Sequence, residues 1–229
     1  MSNKNNQFIS KIIFLSEVEF SKKVCMSCIE QGKRFGIDIV PVKGIHGLKA
    51  HKILEQLSLK PKYFFKQGRR GVYGCFLSHY FLWLECIKAN IPYLILEHDG
   101  FFIRRLPENI IEKFDEVLKL DNESPYSNDY EEKVNMNQDI EISKYVNKTP
   151  KNLELNETGN YMHGAYSYII KPEAAKKIIS WIKLNGFLPA DIQIGDKIVD
   201  IRVIKPTIAR IHPLYNNQVE KLSLTRKIV

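Results

Sequence analysis

The sequence predicts an α/β domain in which a mostly parallel central sheet is flanked by helices. Three observations carry that expectation. Short apolar runs alternate with longer runs of helical spacing along the chain. The run Tyr93-Leu94-Ile95-Leu96, bounded by Pro92 and Gly100, is apolar throughout, as a strand covered on both faces must be. Finally, 229 residues with 44% hydrophobic content suffice for one sizeable core, so residues 1–229 read as a single domain.

The elements follow in order. Residues 12–15 read as a strand and residues 20–35 as a helix that stops at Gly36. Residues 37–42 return as a strand. Residues 50–57 have helical spacing, which Pro61 ends. Residues 76–89 form a largely buried helix leading into the central strand 93–96. Residues 108–120 predict another helix: Pro107 precedes it, and Ile110, Ile111, Phe114, Val117 and Leu118 share a face. Residues 121–160 are polar with little periodicity, either an insertion with short elements of its own or a lid. A strand at 166–170, a helix opened by Pro172 and a last strand at 199–204 complete the alternation.

The central strand ends in Glu97-His98-Asp99-Gly100. Strand side chains alternate, so Glu97 and Asp99 are expected on one face and His98 on the other. Two carboxylates at the carboxyl end of a core strand can hold a hard divalent cation and, through it, a diphosphate. The bland alternative is that both acids solvate a strand-to-loop junction.

The block ahead of that strand, Gly71-Val72-Tyr73-Gly74-Cys75-Phe76-Leu77-Ser78-His79, supplies a second signal. With the acidic strand it resembles glycosyltransferase family 25, the lipopolysaccharide-biosynthesis type. That family carries Gly-x-x-Gly-Cys-x-x-Ser-His, a helix, and a strand ending Leu-Glu-Asp-Asp. Residues 12–15, 40–47, 162–179 and 188–191 resemble further family segments, the last its Pro-x-Asp element. His98 and Val72 depart from the pattern, standing where the family has Asp and Glu.

The resemblance implies a GT-A-like nucleotide-sugar fold and inverting transfer to a hydroxyl of a bacterial surface glycan such as lipopolysaccharide core. It implies a nucleotide-sugar donor (a UDP-sugar first) and Mn²⁺ or Mg²⁺ as cofactor. Asp99 would be the direct metal ligand, with Glu97 reaching the ribose or a metal-bound water. His212, after the last strand, is the third metal candidate, against the reading of a lone surface histidine. Asp191, in Pro-Ala-Asp, would be the general base with Asp196 in reserve; alternatively Asp191 is a helix N-cap. Donor-binding candidates are His98, Arg70, Ser78 and His79, the last two near a helix start facing the nucleotide. Ser78 and His79 lack an evident third member, so no hydrolase triad is expected.

Charge and cysteines bound the alternatives. Residues 121–142 hold seven acids against Lys133, so the rest of the chain is more basic than the net +8. A basic body suits an anionic ligand, and equally nucleic acid or an anionic membrane surface. Two further readings therefore stand beside the first. One is the same transferase acting on hydroxymethylated bases of phage DNA; the other is a non-catalytic binding module of the same fold. Glu97 and Asp99 lie too close on one strand to serve a glycosidase. Cys25-x-x-Cys28 has no second pair to answer it, and Cys75 and Cys86 sit in apolar sequence, so all four are expected as buried thiols. No uninterrupted apolar run approaches 18 residues and residues 1–7 are polar. The expectation is a cytoplasmic protein without signal peptide, peripheral at most to the inner membrane through its basic tail, residues 219–229.

Overall fold

The computed structural model describes residues 8–62, 70–121, 139–146 and 157–216. Seven strands form one sheet in the order β2-β1-β3-β7-β5-β8-β6, with β1 Ile9–Phe14, β2 Ile39–Lys43, β3 Tyr93–Glu97, β5 Val117–Lys119, β6 Glu141–Lys144, β7 Ser167–Ile170 and β8 Ile201–Lys205. β7 and the edge strand β6 run against the other five. The mixed α/β architecture with a mostly parallel sheet is thus the one expected. β4 Gly100–Phe102 and β9 Ala209–Ile211 pair separately as a small antiparallel ribbon.

Helices cover both faces. On one side α1, Glu19–Arg34, buries Val24, Cys25, Cys28 and Ile29 against Ile12, Leu94, Leu96 and Leu118. It ends as Gly36 requires. With φ at +78°, that glycine lets its own N–H reach the Lys33 carbonyl while the Ile37 N–H reaches Gly32. On the other side α3, Arg70–Ala89, packs with α2, Gly47–Gln56, and α4, Pro172–Asn185, over Ile95, Tyr168 and Ile170. A short α5, Ala190–Gln193, and α6, Pro213–Asn216, complete the helices.

Three expectations are corrected. Residues 108–120 are not a helix: a 3₁₀ turn at Ile110–Lys113 gives way to β5. Phe114 is extended, and Val117, Leu118 and Lys119 are all buried inside the sheet, where a continuous apolar run serves a strand as well as a helix. The strand near residues 199–204 is not the last, because β9 follows it; three residues are too few to show a period. α3 is already helical at Arg70, the first residue described after 62, so Ser78 and His79 lie mid-helix rather than near its start. Of the polar segment, residues 141–144 form the edge strand β6 and Tyr145 is buried; residues 122–138 and 147–156 lie outside the described residues, as does the basic tail.

Candidate active site

The chain leaves β1 through α1 to β2 on one side, and later returns as β3 on the other side of β1. The connections therefore diverge at the carboxyl ends of β1 and β3, and a crevice opens there. Its lining comes from Ile13, Phe14 and Leu15 after β1, Ile45 and Gly47 of the next turn, one face of α3, and Glu97 with His98 after β3.

The Gly-x-x-Gly-Cys-x-x-Ser spacing now has a physical reason. A Cβ on Gly74 would lie 2.3 Å from the Ile45 carbonyl oxygen, and one on Gly47 2.6 Å from the Arg70 backbone. Ser78 Oγ accepts the Ile45 N–H at 2.8 Å and donates to the Gly74 carbonyl at 2.7 Å. Two close approaches and one hydroxyl thus fix the turn at 45–47 against α3. Arg70 is exposed at the first turn of α3, at the end that borders the crevice; Arg69 lies outside the described residues.

A buried hydrogen-bond chain ends on Glu97. Trp83 Nε1–H donates to the Tyr168 hydroxyl at 2.9 Å, and the same oxygen lies 2.8 Å from His79 Nδ1. An indole can only donate, so the Tyr168 O–H is left to donate to Nδ1. With the imidazole neutral, its proton then sits on Nε2, 3.2 Å from Glu97 Oε1. The Cys75 thiol donates to the same oxygen at 3.4 Å. Burial works to raise the Glu97 pKa. The His79 hydrogen bond, with the neighbouring His79 and His98, outweighs it and holds Glu97 below the usual carboxylate range.

Asp99 is held differently. β3 stops at Glu97, so the strand alternation does not extend to His98 and Asp99, which form a turn into β4. Cys28 Sγ–H donates to the His98 carbonyl at 3.4 Å, and the His212 N–H donates to the Asp99 carbonyl at 2.7 Å. The Asp99 side chain has a buried Oδ1 with no hydrogen-bond partner among the described residues. Burial, reinforced by the Glu97 charge, pushes its pKa up to about 6.

His98 lines the crevice with Glu97 and lowers the pKa of both acids. His212 is brought beside Asp99, yet both ring nitrogens are engaged, Nε2 with Ser27 Oγ at 3.1 Å and Nδ1 accepting the Leu214 N–H at 3.1 Å. Asp191 sits inside α5, whose N-cap is Pro189, so the N-cap alternative for Asp191 is corrected. Its pKa is raised by burial and then by the charge of Glu97, which sets the two acids in one electrostatic neighbourhood. Asp196 is exposed and takes the Asn160 N–H at 2.8 Å, closing a turn rather than joining the crevice acids.

Several neighbours escaped the sequence reading. The sequence offers Cys75 as a buried thiol within the glycine-led block and singles out neither Tyr168 nor Trp83. Lys119 and Asp121 form a fully buried ion pair at the carboxyl end of β5, with Lys119 Nζ 5.2 Å from the Tyr166 ring centre. His163, whose N–H donates to the Tyr145 hydroxyl at 3.0 Å, feels the charges of Asp191, Lys119 and Asp121. The period-2 spacing of Lys119 and Asp121 carried the signal, hidden while that segment read as a helix.

No curated protein is significantly similar to the chain. The model of glycosyltransferase family 25 (LPS biosynthesis protein) matches residues 30–194, which span the turn at 45–47, α3, the acidic strand and Asp191. The chain belongs to glycosyltransferase family 25 and is a glycosyltransferase.

Proposed function

We propose that the protein is an inverting, GT-A-like transferase that moves a sugar from a nucleoside diphosphate, UDP first, to a hydroxyl of a bacterial surface glycan such as lipopolysaccharide core, on the cytoplasmic side. One observation carries the reading: Glu97 lines the crevice, its charge adds to burial in raising the pKa of both Asp99 and Asp191, and Asp99 Oδ1 is buried with no partner among the described residues. A cluster of carboxylates with an unsatisfied oxygen fits a hard divalent cation. Asp99 and Glu97 would hold Mn²⁺ or Mg²⁺. When bound, the ion supplies Lewis-acid neutralisation of the charge that develops on the departing diphosphate.

The remaining roles fall to this chain's own groups. The apolar wall of Ile13, Phe14 and Leu15 shields the nucleoside, and the exposed Arg70, next to the crevice residue Gly71, faces the diphosphate. Asp191 takes the proton from the acceptor hydroxyl. Its raised pKa makes it a stronger base than an exposed aspartate, which suits proton abstraction near neutral pH. His98 lowers the pKa of both acids beside it, and so favours their charged forms. Ser78 and His79 act by fixing the turn at 45–47 and Glu97 rather than by touching the sugar. No described helix is long and apolar enough to cross a membrane.

Calorimetric titration of UDP, with and without Mn²⁺, into wild-type protein and Asp99→Asn tests this. Mn²⁺-dependent binding that disappears in the variant is expected. Equal binding by both proteins, or UDP binding indifferent to the metal, would refute the assignment of Asp99.

A further inference from the structure

Glu97 Oε1 accepts hydrogen bonds from two side chains of kinds that also ligate metals, a thiol and an imidazole. Cys75 and His79 stand at i and i+4 on α3, one turn apart on the same face. The end of β3 brings Glu97 Oε1 to 3.4 Å from Cys75 Sγ and 3.2 Å from His79 Nε2, and all three ligand atoms lie within 4.8 Å of one another. All three residues line the crevice, so the cluster has an entry path from solvent. Burial first, then the negative charge of Glu97, Asp191 and Asp99, raises the Cys75 pKa, and a divalent cation would offset that charge.

We propose that Cys75, His79 and Glu97 form a second cation site, selective for a thiophilic divalent ion of the zinc class. Three protein ligands of S, N and O type with a fourth position open to the crevice suit such an ion, whereas magnesium and manganese favour oxygen alone. The site is distinct in chemistry from the Glu97–Asp99 pair and does not rest on glycosyl transfer. Glu97 is common to the two sites, through Oε1 in the thiophilic one.

The bonds balance without a redox partner. The Cys75 S–H bond breaks, the sulfur binds the ion as thiolate, and one proton leaves to solvent. The His79 proton moves by solvent exchange from Nε2 to Nδ1, freeing the Nε2 lone pair for the ion. There it donates to the Tyr168 hydroxyl oxygen, whose own O–H rotates away from Nδ1, so that this oxygen orients the ring from behind. The two hydrogen bonds to Glu97 are replaced by the ion itself. Cys25 and Cys28 are a contrasting case: they are buried in the packing of α1, and Cys28 spends its proton on the His98 carbonyl.

Cobalt titration of the full chain under a non-thiol reductant reads the site directly, because only a thiolate ligand gives the near-ultraviolet sulfur-to-cobalt charge-transfer band. The expected result is a band that saturates at a single cobalt per chain and is bleached by Zn²⁺. Cys75→Ser removes the band, and His79→Asn and Glu97→Gln each weaken cobalt affinity at least about tenfold. Cys25→Ser and Asp99→Asn keep it, with folding of every variant checked by circular dichroism. A band that survives in Cys75→Ser, or wild-type protein that gives none, overturns the proposal. Asp99→Asn separates the two ideas: loss of Mn²⁺-dependent UDP binding leaves the cobalt band in place, and the converse failure leaves UDP binding intact.

Discussion

Glu97 and Asp99 stand two residues apart at the end of one strand, and the protein treats them in opposite ways. Glu97 has two donors on one oxygen and a buried chain of Trp83, Tyr168 and His79 behind it, and its pKa falls. Asp99 has an oxygen in the interior with no donor among the described residues, and its pKa rises to about 6. The difference teaches that the motif is a pair of unequal carboxylates. One is oriented by the fold through donors on a single oxygen, whereas the buried oxygen of the other has no partner among the described residues.

The largest test of that contrast is Asp99→Asn, which should weaken Mn²⁺-dependent UDP binding by more than about 100-fold, since it removes a ligand rather than a supporting group. The same variant should gain stability. A carboxylate whose folded pKa exceeds its unfolded value stabilises below the unfolded value and loses that contribution as pH rises through about 6. Asp99→Asn is therefore expected to unfold at higher urea near neutral pH, by about 1 kcal/mol given the partly solvent-facing site, and to show no gain in strong acid. A loss of stability at neutral pH would contradict the unequal pair.

Breaking the other arm should do the reverse. Tyr168→Phe strips His79 Nδ1 and the Trp83 N–H of their partner in the core, at a cost of about 1–3 kcal/mol in urea unfolding. An unchanged midpoint would mean the chain behind Glu97 is not made. Metal-dependent UDP affinity should also decline as pH falls through about 6, because Asp99 must shed its proton to accept a cation. Calorimetry on either side of that pH reads this, and a flat profile would remove Asp99 from the cation. The smallest effect belongs to Cys28→Ala, which frees the His98 carbonyl and leaves a small void, at about 1 kcal/mol. Urea unfolding checks it; a loss as large as that of Tyr168→Phe would put the Asp99 turn on equal footing with the core.

Local signals in the sequence carried much of this. The apolar run closed by Pro92 and Gly100, the stop at Gly36 and the helix start at Pro172 each depend on a few adjacent residues, and each stands in the structure. β5 did not show, because Val117-Leu118-Lys119-Leu120 satisfies either period and only its neighbours β7 and β8 decide. Glu97 and Asp99 were visible as acids, but their inequality was not. The donor that commits Glu97 lies 18 residues away and its supporting hydroxyl lies 89 residues from His79. The Lys119–Asp121 pair stayed hidden for a related reason, since a buried lysine reads as a surface residue until the sheet closes over it.

The hydrogen-bond chain behind Glu97 has an optical consequence. Trp83 is fully shielded from water, and its indole N–H is the far terminus of a relay whose near terminus faces the crevice. Anything that draws electron density from Glu97 alters the polarity felt by that indole through Tyr168. With Trp181→Phe, Trp83 is the single indole of the chain, and its emission can follow ligands at the crevice without a label.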